Sequence, residues 1–222
     1  MKLFYDACNA AMRTLLIALT RWRVEGKENV PRTGPLIIVS NHLNLIDPPL
    51  LGASVPRRIN FMAKQELFES TFSRLVVENY GAFPVRRGQL DRKAVRNALE
   101  QLHQGGVLGI FPEGKRSHDS QLQAAQLGAS LLASRSGVPI VPVGIYGSER
   151  VRGVSSVLFQ RPRITVTIGR PFILPSDRDK PTRSRLIQHS DLIMERIAEL
   201  LPESYRGAYN NRRGSQGDDG ED

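Results

Sequence analysis

A regular alternation of short apolar runs with longer segments of helical periodicity most constrains how this chain folds. "LIIVS" (36–40) reads as a buried strand and "RINFMA" (58–63) as another. "KQELFESTFSRLVVENY" (64–80) predicts a helix that leads into a strand at "GAFPV" (81–85). In "LDRKAVRNALEQLHQGG", Ala94, Ala98, Leu99 and Leu102 share one helical face, and Gly105 and Gly106 supply the stop. "VLGIF" (107–111) predicts a strand, and Gln121–Ser136 a helix closed by Gly137. "VPIVPVGIY" (138–146) is a further strand, whose Pro139 and Pro142 argue for an irregular or edge position. "RITVTIG" (163–169) puts Ile164, Val166 and Ile168 on one side, and Thr182 caps a last helix ending near Leu201. Such alternation predicts an α/β fold, a single domain with a mixed, largely parallel sheet flanked by helices.

At 222 residues the chain holds a core large enough to need no staples. Its only cysteine, Cys8, forms no intrachain disulfide, which fits a reducing compartment. The formal net charge is +9 although the last fourteen residues, "YNNRRGSQGDDGED", hold two arginines against four acids, so the body is more basic still. A basic body attracts nucleic acid, anionic headgroups and phosphorylated substrates without choosing among them. Residues 206–222 read as a disordered polar tail.

The N-terminal segment mixes apolar and basic residues. Arg13 interrupts its apolar run well short of the roughly 20 residues that a crossing helix needs, and no signal-peptide cleavage site precedes "WRVEG". Residues 1–23 therefore predict an amphipathic helix. Leu3, Phe4, Leu15, Leu16, Leu19 and Trp22 form its apolar surface, with Lys2, Arg13, Arg21 and Arg23 around it. The bilayer interface and the protein's own core both suit such a helix.

Loops at strand carboxyl ends are where α/β proteins place ligands. "LIIVS" runs straight into "NHLNLIDPP", with His42 and Asp47 five positions apart. Asp47 before Pro48 predicts a helix N-cap, Pro48 keeping Asp47 out of the helical region. A regular helix would separate the two side chains by about 140°, so contact between them requires an irregular turn. If they do touch, the carboxylate fixes the imidazole tautomer and leaves the other ring nitrogen as a general base for a hydroxyl. Read alone, the pair is better explained as a capped helix beside an ordinary histidine.

Other templates fail. There is no G-x-S-x-G elbow and no second histidine at metal-ligand spacing from His42. His103, His118 and His189 read as structural or solvated. "GIFPEGKR" matches a Walker spacing up to Lys115, then puts Arg116 where a hydroxyl is needed and loses an amide donor at Pro112. The same segment does place Glu113, Gly114, Lys115 and Arg116 directly after a strand, and "GAFPVRRG" places Arg86 and Arg87 likewise. One base and two anion-binding loops at strand ends are harder to dismiss together than singly.

"NHLNLID", "GAFPVRRG", "FPEGKRS" and "VPIVPV" stand in the order and approximate spacing of the four blocks of the glycerolipid acyltransferase family, which the chain resembles from about Val24 to Ser148. Two positions depart from the family pattern. Arg86 stands where an acidic or polar residue is frequent, and Lys115 where a small hydroxyl residue is frequent; the arginine role falls on Arg87. The resemblance implies direct acyl transfer without an acyl-enzyme, His42 deprotonating a hydroxyl and Asp47 orienting the imidazole. It implies that Arg87, Glu113 and Gly114, with Lys115 or Arg116, hold a phosphorylated acceptor, and that "VPIVPV" shapes a pocket. The expected reaction moves a fatty acyl group from coenzyme A or acyl carrier protein to the sn-2 hydroxyl of 1-acyl-glycerol-3-phosphate (lysophosphatidate), giving phosphatidic acid. Glycerol-3-phosphate or another lysophospholipid is the alternative acceptor.

No metal or prosthetic group is implied. The amphiphilic substrates favour the interfacial placement of the N-terminal helix, as a peripheral contact with anionic membrane, and the thioester donor implies the cytoplasmic face. A non-catalytic lipid-binding module is an alternative from another class. Nucleic-acid binding is a further one, disfavoured by an aromatic content of 6% without a stacking motif.

Overall fold

The computed structural model describes residues 2–86, 88, 91–175 and 181–210. Strand β2 (Leu36–Ser40) is buried at all five positions, because it lies in the middle of a seven-stranded sheet with helices on both faces. Its neighbours are β5 (Val107–Ile110) and β6 (Ile140–Tyr146). Beyond β5 come β3 (Ile59–Lys64) and β4 (Ala82–Val85). These five strands are mutually parallel. Beyond β6 lies β7 (Arg163–Ile168), antiparallel to it, and then β1 (Arg21–Glu25), parallel to β7. The order is β1-β7-β6-β2-β5-β3-β4, the mixed, largely parallel sheet expected.

Side-chain alternation along β2 divides the core into two layers. Ile37 and Val39 belong to one apolar cluster, with residues of α4 (Arg92–His103), α5 (Gly128–Ser136) and α7 (Arg183–Ala198). Leu36 and Ile38 belong to the other, with residues of α1 (Lys2–Leu19) and α2 (Asp47–Ser54). Every strand from β2 to β6 delivers its carboxyl end to one rim of the sheet, and the amino ends of β7 and β1 reach the same rim.

Several expectations are corrected. The N-terminal helix stops at Leu19, not at residue 23, and "RWRVE" becomes the edge strand β1. That stretch alternates: Arg21 and Arg23 face solvent while Trp22 and Val24 pack on the core, a pattern that suits a strand better than a helical turn. The expected helix over 64–80 divides into a one-turn 3-10 helix, Gln65–Phe68, and α3 (Thr71–Asn79), with Ser70 extended between them.

The helix expected from Gln121 begins only at Gly128. The amides of Leu122, Gln123 and Gln126 donate instead to the Tyr205 carbonyl, Glu113 Oε2 and the Pro112 carbonyl, so the segment cannot close helical bonds. β6 is internal rather than an edge strand. Ile140 exchanges both its bonds with Phe172, and Pro142, two positions on, turns its nitrogen toward the break in the β7 ladder at Gly169–Pro171. A short helix, α6 (Val154–Gln160), stands in a segment without a predicted element. Residues 206–210, expected in the polar tail, pack against the core with Tyr209 buried, and residues 211–222 lie outside the described residues.

Candidate active site

The site forms where β2 ends. Asn41 replaces the next rung of the sheet with its side chain: Nδ2 donates to the Ile145 carbonyl at 2.7 Å, and Oδ1 accepts from the Ile145 amide at 2.8 Å. His42 is then pinned by its backbone to the loop after β5. Its N–H donates to Glu113 Oε1 at 3.0 Å, and its carbonyl accepts from the Ser117 amide at 2.8 Å. The imidazole stacks on Phe111, with ring centroids 4.2 Å apart.

The turn that the sequence required lies at Leu43–Ile46 and returns Asp47 to the histidine. Asp47 Oδ2 sits 2.8 Å from His42 Nδ1 and also accepts from the Leu43 amide at 2.6 Å and the Asn44 amide at 2.7 Å. With the carboxylate ionised, Nδ1 is the donor and Nε2 carries the free lone pair. Asp47 is fully buried and His42 7% exposed, so the pair is fixed while the ring edge still reaches the rim.

The expected N-cap at Asp47 is not what the structure shows. Asp47 is the first residue of α2, Ile46 stands at the cap position, and no side-chain cap bond is made. The reason is covalent. Pro48 and Pro49 have no N–H, and the Leu50 amide already bonds the Ile46 carbonyl, so the first turn offers the carboxylate nothing to cap. The same oxygen that would have capped a helix is free to serve His42.

Glu113, expected to contact the substrate, lies behind His42. It is 1% exposed, and both carboxylate oxygens accept main-chain amides, from His42 and from Gln123. Burial pushes its pKa up to about 7, against the opposing pull of those two amides. Its geometry is that of a strut behind the histidine. Gly114 turns the chain at φ 71°, and Lys115 and Arg116 follow as exposed cations beside Ser117. Arg86 is exposed on the neighbouring loop, with its Nε donating to Gln65. Arg87 lies outside the described residues.

Some contributors escaped the sequence. Asn44 joins the His42 loop to the segment after β6 through bonds of 3.0 Å from Nδ2 to the carbonyls of Ser148 and Val151. Asn44, Phe111 and Ser117 gave no separate signal, because each acts through a partner distant in the chain.

Known proteins share this sequence and fold. The Acyltransferase family model matches residues 21–146. A 1-acyl-sn-glycerol-3-phosphate acyltransferase of Bacillus subtilis is 29% identical over 88% of this chain and 96% of its own length. A lyso-ornithine lipid O-acyltransferase of Pseudomonas aeruginosa is 34% identical over 57% of this chain and 53% of its own. The chain spans about half the length of a chloroplastic relative from Arabidopsis thaliana, at 49%. The crystal structure of the lysophosphatidate acyltransferase PlsC of Thermotoga maritima superposes with a TM-score of 0.68, at 24% identity, over 90% of this chain and 77% of that one. The matched region runs from the edge strand β1 to the end of β6, where Asn41 is clipped, and it contains the whole His42 loop: the chain is a member of the acyltransferase family.

Proposed function

We propose that the protein transfers a fatty acyl group from an acyl thioester to the sn-2 hydroxyl of 1-acyl-glycerol-3-phosphate, yielding phosphatidic acid for phospholipid synthesis. The observation that carries this reading is the 2.8 Å contact between His42 Nδ1 and an Asp47 carboxylate that two loop amides hold in place. His42 Nε2 takes the proton of the sn-2 hydroxyl as its oxygen attacks the thioester carbonyl. The tetrahedral intermediate expels the thiolate, which takes the proton back from the imidazolium. Phosphatidic acid and the free thiol carrier leave, and His42 is neutral again. The residues themselves supply each proton transfer, and the scheme calls on no metal or prosthetic group.

Lys115 and Arg116, which follow β5, hold the acceptor phosphate together with Arg87. Gly114 lets the backbone approach, and Glu113 holds the His42 main chain rather than the substrate. Coenzyme A or acyl carrier protein carries the acyl thioester in this scheme.

Membrane association belongs to the same proposal. On α1, Tyr5 and Leu16 are buried against the body, and Arg13 Nε donates to the Ala53 carbonyl at 2.8 Å. Leu3, Phe4, Leu15 and Ile17 stay exposed, at 82%, 39%, 52% and 67%. One helix thus serves both placements, packing one face inward and offering the other to the interface of an anionic cytoplasmic leaflet. Among the described residues no helix is long and apolar enough to cross a membrane.

The test is an assay of the purified protein with a radiolabelled acyl donor and three acceptors in parallel: lysophosphatidate, glycerol-3-phosphate and a phosphate-free lysolipid. The last is included because of the relative named for lyso-ornithine lipid. Lysophosphatidate is expected to be acylated fastest and His42→Ala to abolish turnover without unfolding. Near wild-type turnover by that variant overturns the reading.

A further inference from the structure

A second cationic site lies on the other side of His42. The rim beyond β6 holds a cavity of about 890 Å³ lined by Arg21, Arg150, Arg152, Arg161 and Arg163, with Tyr146 and Tyr205 among its walls. None of the described residues lining it is acidic. Arg150 contacts Glu149 at 3.5 Å, and Glu149 in turn accepts from the Tyr205 hydroxyl at 2.8 Å. Among the described residues Arg21, Arg152, Arg161 and Arg163 have no carboxylate partner. Clustered like charges repel unless a ligand neutralises them, and the backbone adds a further cost: Arg161 stands at φ 41°, a left-handed conformation that side chains other than glycine, asparagine and aspartate seldom adopt.

Position in the sheet says what the ligand is. In the order β1-β7-β6-β2-β5-β3-β4, the His42 loop leaves β2 at the centre. The acceptor-side cations Lys115 and Arg116 follow β5 on one side. The arginine cavity is built on the other side, from the end of β6, the segment containing α6, and the starts of β7 and β1. Asn44 joins the two regions, since both its Nδ2 bonds go to carbonyls in the cavity segment.

A transfer between two substrates needs both of them beside one base. Fatty acyl thioesters are carried on a phosphopantetheine arm, whether in coenzyme A or on acyl carrier protein, so the donor too is anionic at a distance from its reacting carbon. We infer that the arginine-lined cavity binds the phosphorylated carrier of the acyl thioester and directs its arm along the Asn44 loop toward His42. This assignment rests on the acyltransferase reading. The arginines and Phe159 at the cavity are exposed, so a bilayer is the competing occupant; a concavity within the usual size range of ligand pockets favours a discrete anionic ligand.

The test uses the full-length protein and the variant Arg152→Gln/Arg161→Asn/Arg163→Gln, asparagine being chosen because it tolerates the left-handed backbone. A control, Arg96→Gln/Arg135→Gln/Arg170→Gln, loses the same charge elsewhere. Initial rates are measured while either the donor or the lysophosphatidate is varied, with the same acyl group on coenzyme A and on acyl carrier protein. Binding of free coenzyme A is followed by calorimetry, and melting temperatures verify folding.

The donor KM of the cavity variant is expected to rise by at least about tenfold, with kcat, acceptor KM and melting temperature held, and coenzyme A binding weakened in parallel. A rise with both carriers identifies the shared arm phosphate, and a rise with coenzyme A alone identifies its nucleotide phosphates; either supports the site. An unchanged donor KM in a variant that still turns over overturns the donor assignment and leaves the acyltransferase reading standing. So does a loss confined to cosedimentation with anionic vesicles. A wild-type protein with no turnover on any acceptor overturns the acyltransferase reading, and the donor assignment with it.

Discussion

Replacing Asp47 by asparagine separates what this side chain does for the fold from what it does for chemistry. One oxygen, Oδ2, accepts three donors: the Leu43 amide, the Asn44 amide and His42 Nδ1. Oδ1 is buried without a partner. The asparagine carbonyl can take the place of Oδ2 and keep all three bonds, while its NH2 occupies the empty side. Each bond then changes from a charge-assisted to a neutral one, a loss of about 1 kcal/mol apiece or about 3 kcal/mol together. Against that, a fully buried carboxylate no longer has to be desolvated, a relief of several kcal/mol. The NH2, stranded where no partner lies, adds about 1–3 kcal/mol of cost, which the relief of desolvation offsets in part, so the variant is expected to lose less stability than Asp47→Ala.

Catalysis has no such compensation. In the proposed mechanism the imidazolium formed as His42 takes the hydroxyl proton loses its adjacent negative charge, and the turnover rate is expected to fall by about a hundred- to ten-thousandfold. Asp47→Ala is the counterpart. It leaves three buried donors without an acceptor, at about 1–3 kcal/mol each, so it should lose more than about 3 kcal/mol of stability as well as activity. The assay pairs initial rates of lysophosphatidate acylation with thermal denaturation of all three proteins. An Asn variant with turnover within a few-fold of wild type refutes the orienting role. If it is instead as unstable as the Ala variant, the three bonds do not transfer to a neutral acceptor and the energetic argument fails.

Glu113→Gln should flatten part of the pH dependence of stability. The Glu113 carboxyl rises from an ordinary 4.5 to about 7 on folding, so between those values the native state binds more protons than the unfolded state. The resulting stabilisation is present below about pH 4.5 and is lost as pH rises through 7, a change on the order of 3 kcal/mol. Urea denaturation of both proteins across that range checks it, and parallel pH curves for the two would refute it. Asn41→Ala strands the amide and carbonyl of Ile145 in the core, so a loss of about 2–4 kcal/mol is expected together with reduced turnover; a folded variant with full activity would show that the clip is dispensable. Gly52→Ala places a methyl group against the Tyr80 hydroxyl and 2.8 Å from Asn9 Oδ1, severing the 2.7 Å bond between them across α2. It is expected to cost about 1–3 kcal/mol and to loosen α1, read as a lower melting temperature and faster proteolysis before Ala53; an unchanged melting temperature would refute the crossing.

The sheet was largely legible because its signals are local. β2, β3, β5 and β7 are apolar or alternating runs whose identity needs no partner, and Gly137 and Thr182 end and begin their helices as glycine and threonine do elsewhere. The failures share a cause, which is competition from partners far along the chain. Residues 121–127 contain no helix breaker and still do not coil, because Glu113, Pro112 and Tyr205 claim their amides. β1 was hidden because "RWRVE" continues a basic, apolar segment, and only a β7 edge awaiting a neighbour makes it a strand. Pro142 looked like an edge residue because its missing donor is visible in the sequence, while the break in β7 that accommodates it is not.

The site shows how two readings of one residue can compete on the wrong ground. A cap and a catalytic partner both want the carboxylate of Asp47, and the spacing His-x4-Asp alone does not choose between them. The choice is made by Pro48 and Pro49, which remove the amides that a cap would bind. Asp47 therefore starts the helix with its backbone, and its charge remains available to the loop behind it. That loop is rigid because His42 is bonded through its amide to Glu113, through its carbonyl to Ser117 and through its ring to Asp47. Three anchors on two chain segments, the loop after β5 and the start of α2, leave the imidazole few orientations. Under the proposed mechanism a general base held this way spends little freedom at each turnover, and supports that lie outside the motif are what hold it.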